Sequence, residues 1–169
     1  EDNLTATFTK DIEYGIDGKG WVELNAGDET PPINVGQTLS FRGELVPNWN
    51  KGIGTFTISK KCNLKGNCMS ILFGDNAADN FSLSDKSYAF YKLFQNCTNI
   101  VNVDSNFLPA TTLANSCYSS MFSGCTSLTT APALPATTLA DKCYYYMFYN
   151  CTSLTTAPAL PATTLANSC

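Results

Sequence analysis

Apolar residues recur at a regular interval in the second half of the chain. In "NSCYSSMFSGC" the apolar positions fall at i, i+4, i+5 and i+8, namely Cys117, Met121, Phe122 and Cys125. The same columns hold Ala89, Leu93, Phe94 and Cys97 in an earlier copy and Cys143, Met147, Phe148 and Cys151 in a later one. This spacing places the apolar residues on one face of a 3.6-residue period, so it predicts a short helix in each copy.

Polar residues mark both ends of each predicted helix. Residues that commonly cap a helix N-terminus precede the apolar positions; they are Ser87, Asn115, Asp141 and Asn167. Residues that tolerate a left-handed conformation follow them at Asn96, Gly124 and Asn150. The caps leave about two helical turns, which are too short to persist alone.

The remainder of each copy reads as extended chain. The run "TSLTTA", with Leu128 pointing inward, predicts a short strand, and Pro132 and Pro135 then end strand pairing and turn the chain. One unit is therefore predicted to be a strand, a proline-turned return and a short helix.

The stretch "CTSLTTAPALPATTLA" occurs at 125–140 and again, unchanged, at 151–166. Units that lack a complete core of their own bury their apolar residues against the next copy, so we interpret the identical sequences as structural and not as a functional site. The 26-residue period lies in the range of leucine-rich repeats. Residues 85–169 are accordingly predicted to form a leucine-rich-repeat solenoid.

Residues 1–75 lack this repeat. Short alternating runs ("LTATFT", "WVEL", "TLSFRG", "GTFTIS") are separated by clusters of glycine, aspartate, asparagine and proline, which predicts a small β-sandwich. The predicted fold class is α+β, mostly β, with a β-sandwich-like module and cap at 1–84 followed by the solenoid at 85–169.

Composition excludes several functions. Charged residues make up 14% of the chain and the net charge is −4, which leaves no basic field for nucleic acid. No apolar run approaches the ~20 residues of a membrane-spanning helix. The chain has no histidine, which removes the commonest general base and metal ligand, so we expect neither catalysis, nor a metal, nor a cofactor.

The cysteines of the repeats are predicted to be free thiols. If Cys117 paired with Cys125, then Cys97 would need a partner at position 89, which is alanine. A small buried residue in that column indicates packing instead. For Cys62 and Cys68 a bond stays open, since a turn at 65–66 would place the two diagonally.

Two smaller features have alternative interpretations. The run "GDNAADN" offers oxygen atoms that suit Ca²⁺ from Asp75, Asn76, Asp79 and Asn80, but the spacing of known calcium loops is absent and a solvated loop is favoured. Trp21 and Trp49 can stack on sugar rings, but a role in the core is favoured for both.

Two candidate binding surfaces follow from the repeats. The helix "YSSMFSG" at 118–124 becomes "YYYMFYN" at 144–150, which clusters Tyr144, Tyr145, Tyr146 and Tyr149. Tyrosine is a residue type that anchors interfaces, although drift on a solvent face would give the same change. The second candidate is the strand surface at Thr129, Thr130, Thr155 and Thr156, since solenoids bind along their concave side.

The repeats resemble a known family. Met121-Phe122, Cys125, Leu128 and Leu134-Pro135, and the same columns one copy later, match the "AF…C…L…LP" skeleton of the BspA-like leucine-rich repeats of bacterial, Bacteroidetes-type surface proteins. The similarity covers 85–169; it departs from the family where the strand column holds Ala-Pro-Ala. The resemblance implies a secreted or surface-anchored protein that binds host proteins, glycans or other cells.

We therefore predict a non-catalytic extracellular or cell-surface binding or adhesion protein, whose partner is a host or bacterial surface protein or glycan. A structural alternative is a subunit of a filament or of a phage or virion fibre. In that interpretation the coils self-associate through an open solenoid end, because the last coil is unfinished at Cys169. Catalysis would depend on aspartate and glutamate alone, and no paired-carboxylate spacing supports it.

Overall fold

The computed structural model describes residues 3–169. Short strands dominate its regular structure. The strands are β1 (Ala6–Phe8), β2 (Ile12–Ile16), β3 (Val22–Leu24), β4 (Leu39–Arg42), β5 (Phe56–Ile58), β6 (Cys62–Leu64) and β7 (Ile100–Val103). A short α-helix, α1 (Ser70–Phe73), and two 3₁₀ turns (Gly74–Asp79 and Ser105–Phe107) complete the regular elements.

The strands form small sheets. β1 pairs antiparallel with β5, which sets Phe8 opposite Phe56. β2 lies between β3 and β4 in an antiparallel sheet, and β6 pairs in parallel with β7. Each of the four alternating runs noted in residues 1–75 contains one strand (β1, β3, β4 and β5), so these strand predictions are confirmed.

The predicted architecture, an α+β, mostly β chain with a β-sandwich-like module before a leucine-rich-repeat solenoid, is wrong. The described residues form three small sheets, of two, three and two strands. In residues 85–169 the regular elements are β7 and the 3₁₀ turn Ser105–Phe107, and the strand-plus-helix units are absent. The molecule is a small, mostly β protein with one short α-helix among residues 3–169.

Backbone conformation explains why the predicted helices do not form. In the stretch 114–125 the φ angle is positive at every fourth residue: 56° at Ser116, 55° at Ser120 and 79° at Gly124. The same positions of 86–97 (Tyr88, Lys92, Asn96) and of 140–151 (Lys142, Tyr146, Asn150) are also left-handed. A right-handed helix needs negative φ throughout, so each stretch is a succession of turns, which we call the first (86–97), second (114–125) and third (140–151) turn segments.

The turn segments lie side by side and share backbone hydrogen bonds. Alternate N–H groups close turns within a segment, as when Met121 donates to the Tyr118 carbonyl at 3.2 Å. The intervening N–H groups donate to the next segment, as from Tyr118 to the Cys143 carbonyl at 3.0 Å. The first segment is joined to the second in the same way, by Phe90 to Cys117 at 2.7 Å. Every second residue therefore ties one segment to its neighbour.

Aromatic rings of successive segments stack in columns within the core. Phe94 lies 5.3 Å from Phe56 and 5.6 Å from Phe122, with planes 12° and 7° apart. Phe122 lies 5.9 Å from Phe148 at 2°. One buried apolar cluster runs from Phe8 to Cys151. The division into units at 1–84 and 85–169 stays a prediction.

Candidate functional site

A cleft of about 550 Å³ opens on the outward face of the three turn segments. Four outward columns contribute to it, and each column has one member in every segment. The first segment supplies Tyr88, Tyr91, Lys92 and Gln95; the second Ser116, Ser119, Ser120 and Ser123; the third Lys142, Tyr145, Tyr146 and Tyr149. Asn50 adds to the lining from outside the segments. We call this cleft the serine groove, because serine occupies all four columns of the middle segment.

The floor of the groove is a row of small, buried residues. The four serines are between 3% and 8% exposed. Their backbone belongs to the ladder between segments: the Ser119 carbonyl accepts from the Lys92 N–H at 3.1 Å, and the Ser120 N–H donates to the Tyr145 carbonyl at 2.8 Å. Because the floor is hydrogen-bonded on both sides, its geometry is fixed before any ligand arrives.

Three tyrosines of the third segment form one wall. The Tyr146 ring lies 4.2 Å from Tyr145 and 5.2 Å from Tyr149. Their side chains are exposed, Tyr149 by 63%. Hydrogen bonding to the Tyr145 phenol raises the pKa of Tyr146, so these two rings share a polar edge as well as an apolar contact. The wall thus combines ring faces with hydroxyl groups.

The opposite wall belongs to the first segment. Tyr88 and Tyr91 meet edge to face with ring centroids 5.6 Å apart. Trp49, which is 80% exposed, packs edge-on against Tyr88 at 5.1 Å and extends the aromatic surface beyond the groove. The Lys92 ammonium lies 5.0 Å from the centre of the Tyr91 ring, a cation–π contact. Trp49 is therefore a surface residue beside the groove and not a core residue.

The charged residues that line the groove are both cationic. Lys92 stands on the first wall and Lys142 on the third-segment wall, and the lining contains neither aspartate nor glutamate. The chain as a whole carries a net charge of −4. The groove is thus a local positive site on an acidic protein.

The structure brings together three of the four predicted tyrosines. Tyr145, Tyr146 and Tyr149 line the groove, whereas Tyr144 stacks on Tyr118 in the core, with rings 6.0 Å apart and 8° from parallel. The Tyr144 hydroxyl is buried without a hydrogen-bond partner, and burial raises the pKa of this phenol above its ordinary value. Tyr144 therefore supports the wall from behind and is not available to a ligand.

The predicted threonine surface is not assembled into one strand surface. The Thr129 hydroxyl donates to the Val101 carbonyl at 3.1 Å, and Thr130 forms an isolated bridge with Asn102. Thr155 and Thr156 are exposed and lie outside any strand. None of the four threonines lines the serine groove.

The first wall, the serine floor and Lys142 were missed as site residues. A signal for them exists in the sequence: aligning the copies on Cys97, Cys125 and Cys151 shows large polar or aromatic residues, then serine, then large residues again, in the same four outward columns. When only the second and third segments are compared, the serines do not stand out. When the first segment is included, the small serines lie between two rows of larger residues, which predicts a groove.

The cysteines are free thiols in the structure, as predicted for those of the repeats. The thiol of Cys125 donates to the Phe94 carbonyl at 3.2 Å, and that of Cys151 to the Phe122 carbonyl at 3.1 Å. Burial raises the pKa of the Cys117 thiol to about 12. The thiols are packing groups, and those of Cys125 and Cys151 add a weak hydrogen bond to the preceding segment.

The "GDNAADN" run forms the 3₁₀ turn Gly74–Asp79. Asp75 accepts a hydrogen bond from the Arg42 guanidinium at 2.6 Å, and Arg42 also pairs with Glu13 at 2.8 Å. The same guanidinium lies 4.5 Å from the centre of the Trp21 ring. No group of three or more histidine, cysteine, aspartate or glutamate side chains within residues 3–169 is placed to hold a metal.

A second cavity, of about 840 Å³, lies between the small sheets of the first half. Its walls include the rings of Phe41, Phe56 and Phe94 together with the candidate residues Trp21 and Asp75, but none of the predicted tyrosines or threonines. Exposed residues such as Val35 and Lys61 line it, so it is open to solvent, and it shares no lining residue with the serine groove.

Comparisons with known proteins leave the geometry as the main guide to function. No family model, no curated protein and no solved structure matches the chain. Across the part of the chain that the structure describes, no helix has the length and apolar character needed to cross a bilayer.

Proposed function

We propose that this protein is a non-catalytic, extracellular or cell-surface binding module that holds a host protein, a glycan or another cell's surface polymer in the serine groove. One observation carries the proposal. A row of four buried serines lies between two rows of tyrosine, lysine and glutamine, so three consecutive segments build a cleft that no single segment contains.

The groove has the properties of a ligand site. Its volume of about 550 Å³ is in the range of small-molecule and oligomer clefts, which run from roughly 300 to 1,000 Å³. Its walls present tyrosine, which provides large contact area with little loss of side-chain entropy. The ladder beneath Ser119 and Ser120 holds the floor in place, so binding does not require the backbone to become ordered.

Side-chain chemistry supports binding over catalysis. Burial raises the pKa of the Cys97 and Cys117 thiols to about 12, which is opposite to the lowered value of a reactive cysteine. The groove holds no carboxylate for general acid or base work. The titratable groups that remain in it are tyrosine and lysine, which suit recognition.

The sequence resemblance to BspA-like surface proteins supports the proposed location and class of partner. The matching columns, such as Met121-Phe122 and Met147-Phe148, are inward-facing residues that set the stacking. The outward columns that build the groove lie outside the matched skeleton, so the resemblance bears on location and class of partner and not on individual contacts in the groove.

Filling the groove tests the proposal. The double variant Ser119→Tyr/Ser123→Tyr gives the middle segment the residues that the third segment already carries at Tyr145 and Tyr149, so the fold has a precedent for them. Binding of labelled protein to an array of glycans, matrix proteins and whole cells should fall to background. The matched control Ser153→Tyr, on an exposed serine outside the groove, should bind like the natural chain.

Retained binding by the filled variant, with an unchanged circular dichroism spectrum, would remove the groove from the function. If every target stays silent while light scattering grows with protein concentration, the filament or fibre alternative replaces the proposal.

A further inference from the structure

We infer that the ligand of the serine groove is an acidic oligosaccharide, one that carries carboxylate or sulfate groups on successive sugar units. This inference rests on the proposed function and specifies its ligand class. Three independent features of the groove lead to it: the sign of its charge, the chemistry of its surface and the placement of its two lysines.

Charge is the first feature. The groove contains Lys92 and Lys142 and no acidic side chain, in a protein that otherwise repels anions through its net charge of −4. Within residues 3–169 the Lys142 ammonium forms no ion pair. The carboxylate next to it in sequence, Asp141, is bonded to the Asn167 backbone N–H at 3.2 Å and to its side-chain amide at 3.3 Å. An anionic group is the partner that the two ammonium groups can hold.

Surface chemistry favours a sugar over a peptide. The lining is rich in hydroxyl groups from serine and tyrosine, and it presents ring faces and edges that pack against the C–H faces of a pyranose. A peptide strand would need free backbone N–H and C=O groups for β-addition, but the floor has committed its own to the ladder, as at Ser119 and Ser120.

The placement of the lysines sets the length of the ligand. Lys92 occupies the third outward column of the first segment, and Lys142 occupies the first outward column of the third segment. The two therefore face each other diagonally across the serine floor, two segment spacings apart, where neighbouring segments show ring spacings of 5.5 and 6.0 Å. An oligomer that carries acidic groups on successive units can engage both ammonium groups without drawing the two lysines together, so it should bind more tightly than a single acidic sugar.

Calorimetric titration of the whole chain with defined probes tests the inference. The probes are an oligogalacturonate tetrasaccharide, its neutral methyl ester, a heparin-derived sulfated tetrasaccharide and a glutamate-rich decapeptide. We expect one of the two acidic sugars to bind at least about tenfold more tightly than the neutral ester, with affinity falling as salt is added. A preference for the carboxylated or the sulfated probe identifies the source of the charge.

The lysines are tested with a matched pair of variants. Lys92→Gln/Lys142→Gln should abolish the preference for acidic over neutral sugar, whereas Lys10→Gln/Lys19→Gln, which removes the same charge from exposed positions outside the groove, should keep it.

Equal binding of the acidic and neutral tetrasaccharides, or equal or tighter binding of the peptide, overturns the inference. The array with the filled groove reports separately on the proposed function. If Ser119→Tyr/Ser123→Tyr loses a target that is not an acidic sugar, the groove remains the site and only the ligand class is wrong.

Discussion

The ring of Phe148 lies 5.9 Å from the ring of Phe122 and within 2° of parallel, although the two residues are 26 positions apart in the chain. The next ring in the column, Phe94, lies 5.6 Å on the other side of Phe122. Phe122 is thus covered on both faces by rings from neighbouring segments. The register of one turn segment on the next is fixed by this column together with the backbone ladder.

Removing the central ring should therefore be severe. Phe122→Ala is expected to lower the free energy of unfolding by about 3 to 5 kcal/mol, because it leaves a cavity between Phe94 and Phe148. Urea unfolding followed by circular dichroism measures the change. The control Phe81→Ala, on a ring that is 49% exposed, should stay within about 1 kcal/mol of the natural chain. A small loss at position 122 would show that the column is not central to stability.

The column Asn96, Gly124, Asn150 predicts a coupled pair of substitutions. Gly124 is left-handed, with φ at 79°, and a Cβ placed there would clash with the Oδ1 atom of Asn96. Gly124→Ala should destabilise the protein by about 1 to 3 kcal/mol through strain and clash together. Asn96→Gly removes the clash and suits its own φ of 62°.

The double variant Asn96→Gly/Gly124→Ala should recover the part of the loss that is due to the clash and keep the part that is due to backbone strain. Chemical unfolding of the four proteins in the cycle gives the coupling energy. Strict additivity of the two changes would contradict the contact between the two segments.

The left-handed positions predict opposite responses at two serines of the groove floor. Ser116 has a φ of 56°, whereas Ser123 is not among the residues with positive φ. At position 116 the glycine variant should be more stable than the valine variant by at least about 1 kcal/mol, because a β-branched residue is strained in this conformation. At position 123 this preference should disappear or reverse. Thermal unfolding of the two glycine and two valine variants measures both differences.

Buried thiols predict a loss of stability in alkali. Burial raises the pKa of Cys97 and Cys117 from an ordinary 9.0 to about 12, so above pH 9 the unfolded chain loses protons that the folded chain keeps. Their contribution is complete below pH 9 and is lost as pH rises from 9 toward 12, at up to about 1.4 kcal/mol per pH unit for each thiol. Urea unfolding under reducing conditions at pH 8, 9 and 10 measures the slope.

Two variants separate titration from packing. Cys117→Ala should lower stability at neutral pH and also flatten the decline above pH 9, since one titrating group is gone. Met147→Ala removes a core side chain that is 2% exposed and does not titrate, so it should lower stability by the same amount at each pH. Parallel pH profiles for the two variants would contradict the role assigned to the thiol.

The sequence predicted which residues of the repeats face inward but not the backbone that carries them. Cys117, Met121 and Cys125 are buried, as their spacing indicated. A spacing of four residues was attributed to a helix, although it also fits a chain that turns once every four residues. The left-handed conformation at Ser120 or Tyr146 has no strong signal in the sequence, since serine and tyrosine are not residues that favour it. The hydrogen bonds between segments favour the turns over a helix, because alternate N–H groups donate to the next segment and not to carbonyl groups of the same segment as they would in a helix.

Part of the candidate site could be predicted by comparing the copies. Tyr145, Tyr146 and Tyr149 stand out because they differ from the preceding copy, and they do line the groove. Tyr144 occupies a different column, whose other members, Tyr118 and Phe90, also point into the core. This inward direction depends on the geometry of the turns, which the sequence does not reveal. The opposite wall could not be predicted, because it depends on residues 86–97 lying parallel to residues 140–151, with one segment between them.

The division between inward and outward columns has an evolutionary consequence. Unequal crossing-over between duplicated stretches such as 125–140 and 151–166 adds or deletes a whole 26-residue copy without disturbing the order of the remaining residues. Such an event keeps a ring in each stacked column, yet it adds or removes one complete row of the outward surface that we propose as the binding site. Under the proposed function, the shape of the binding surface can therefore change in a single genetic step while the inward columns keep their pattern.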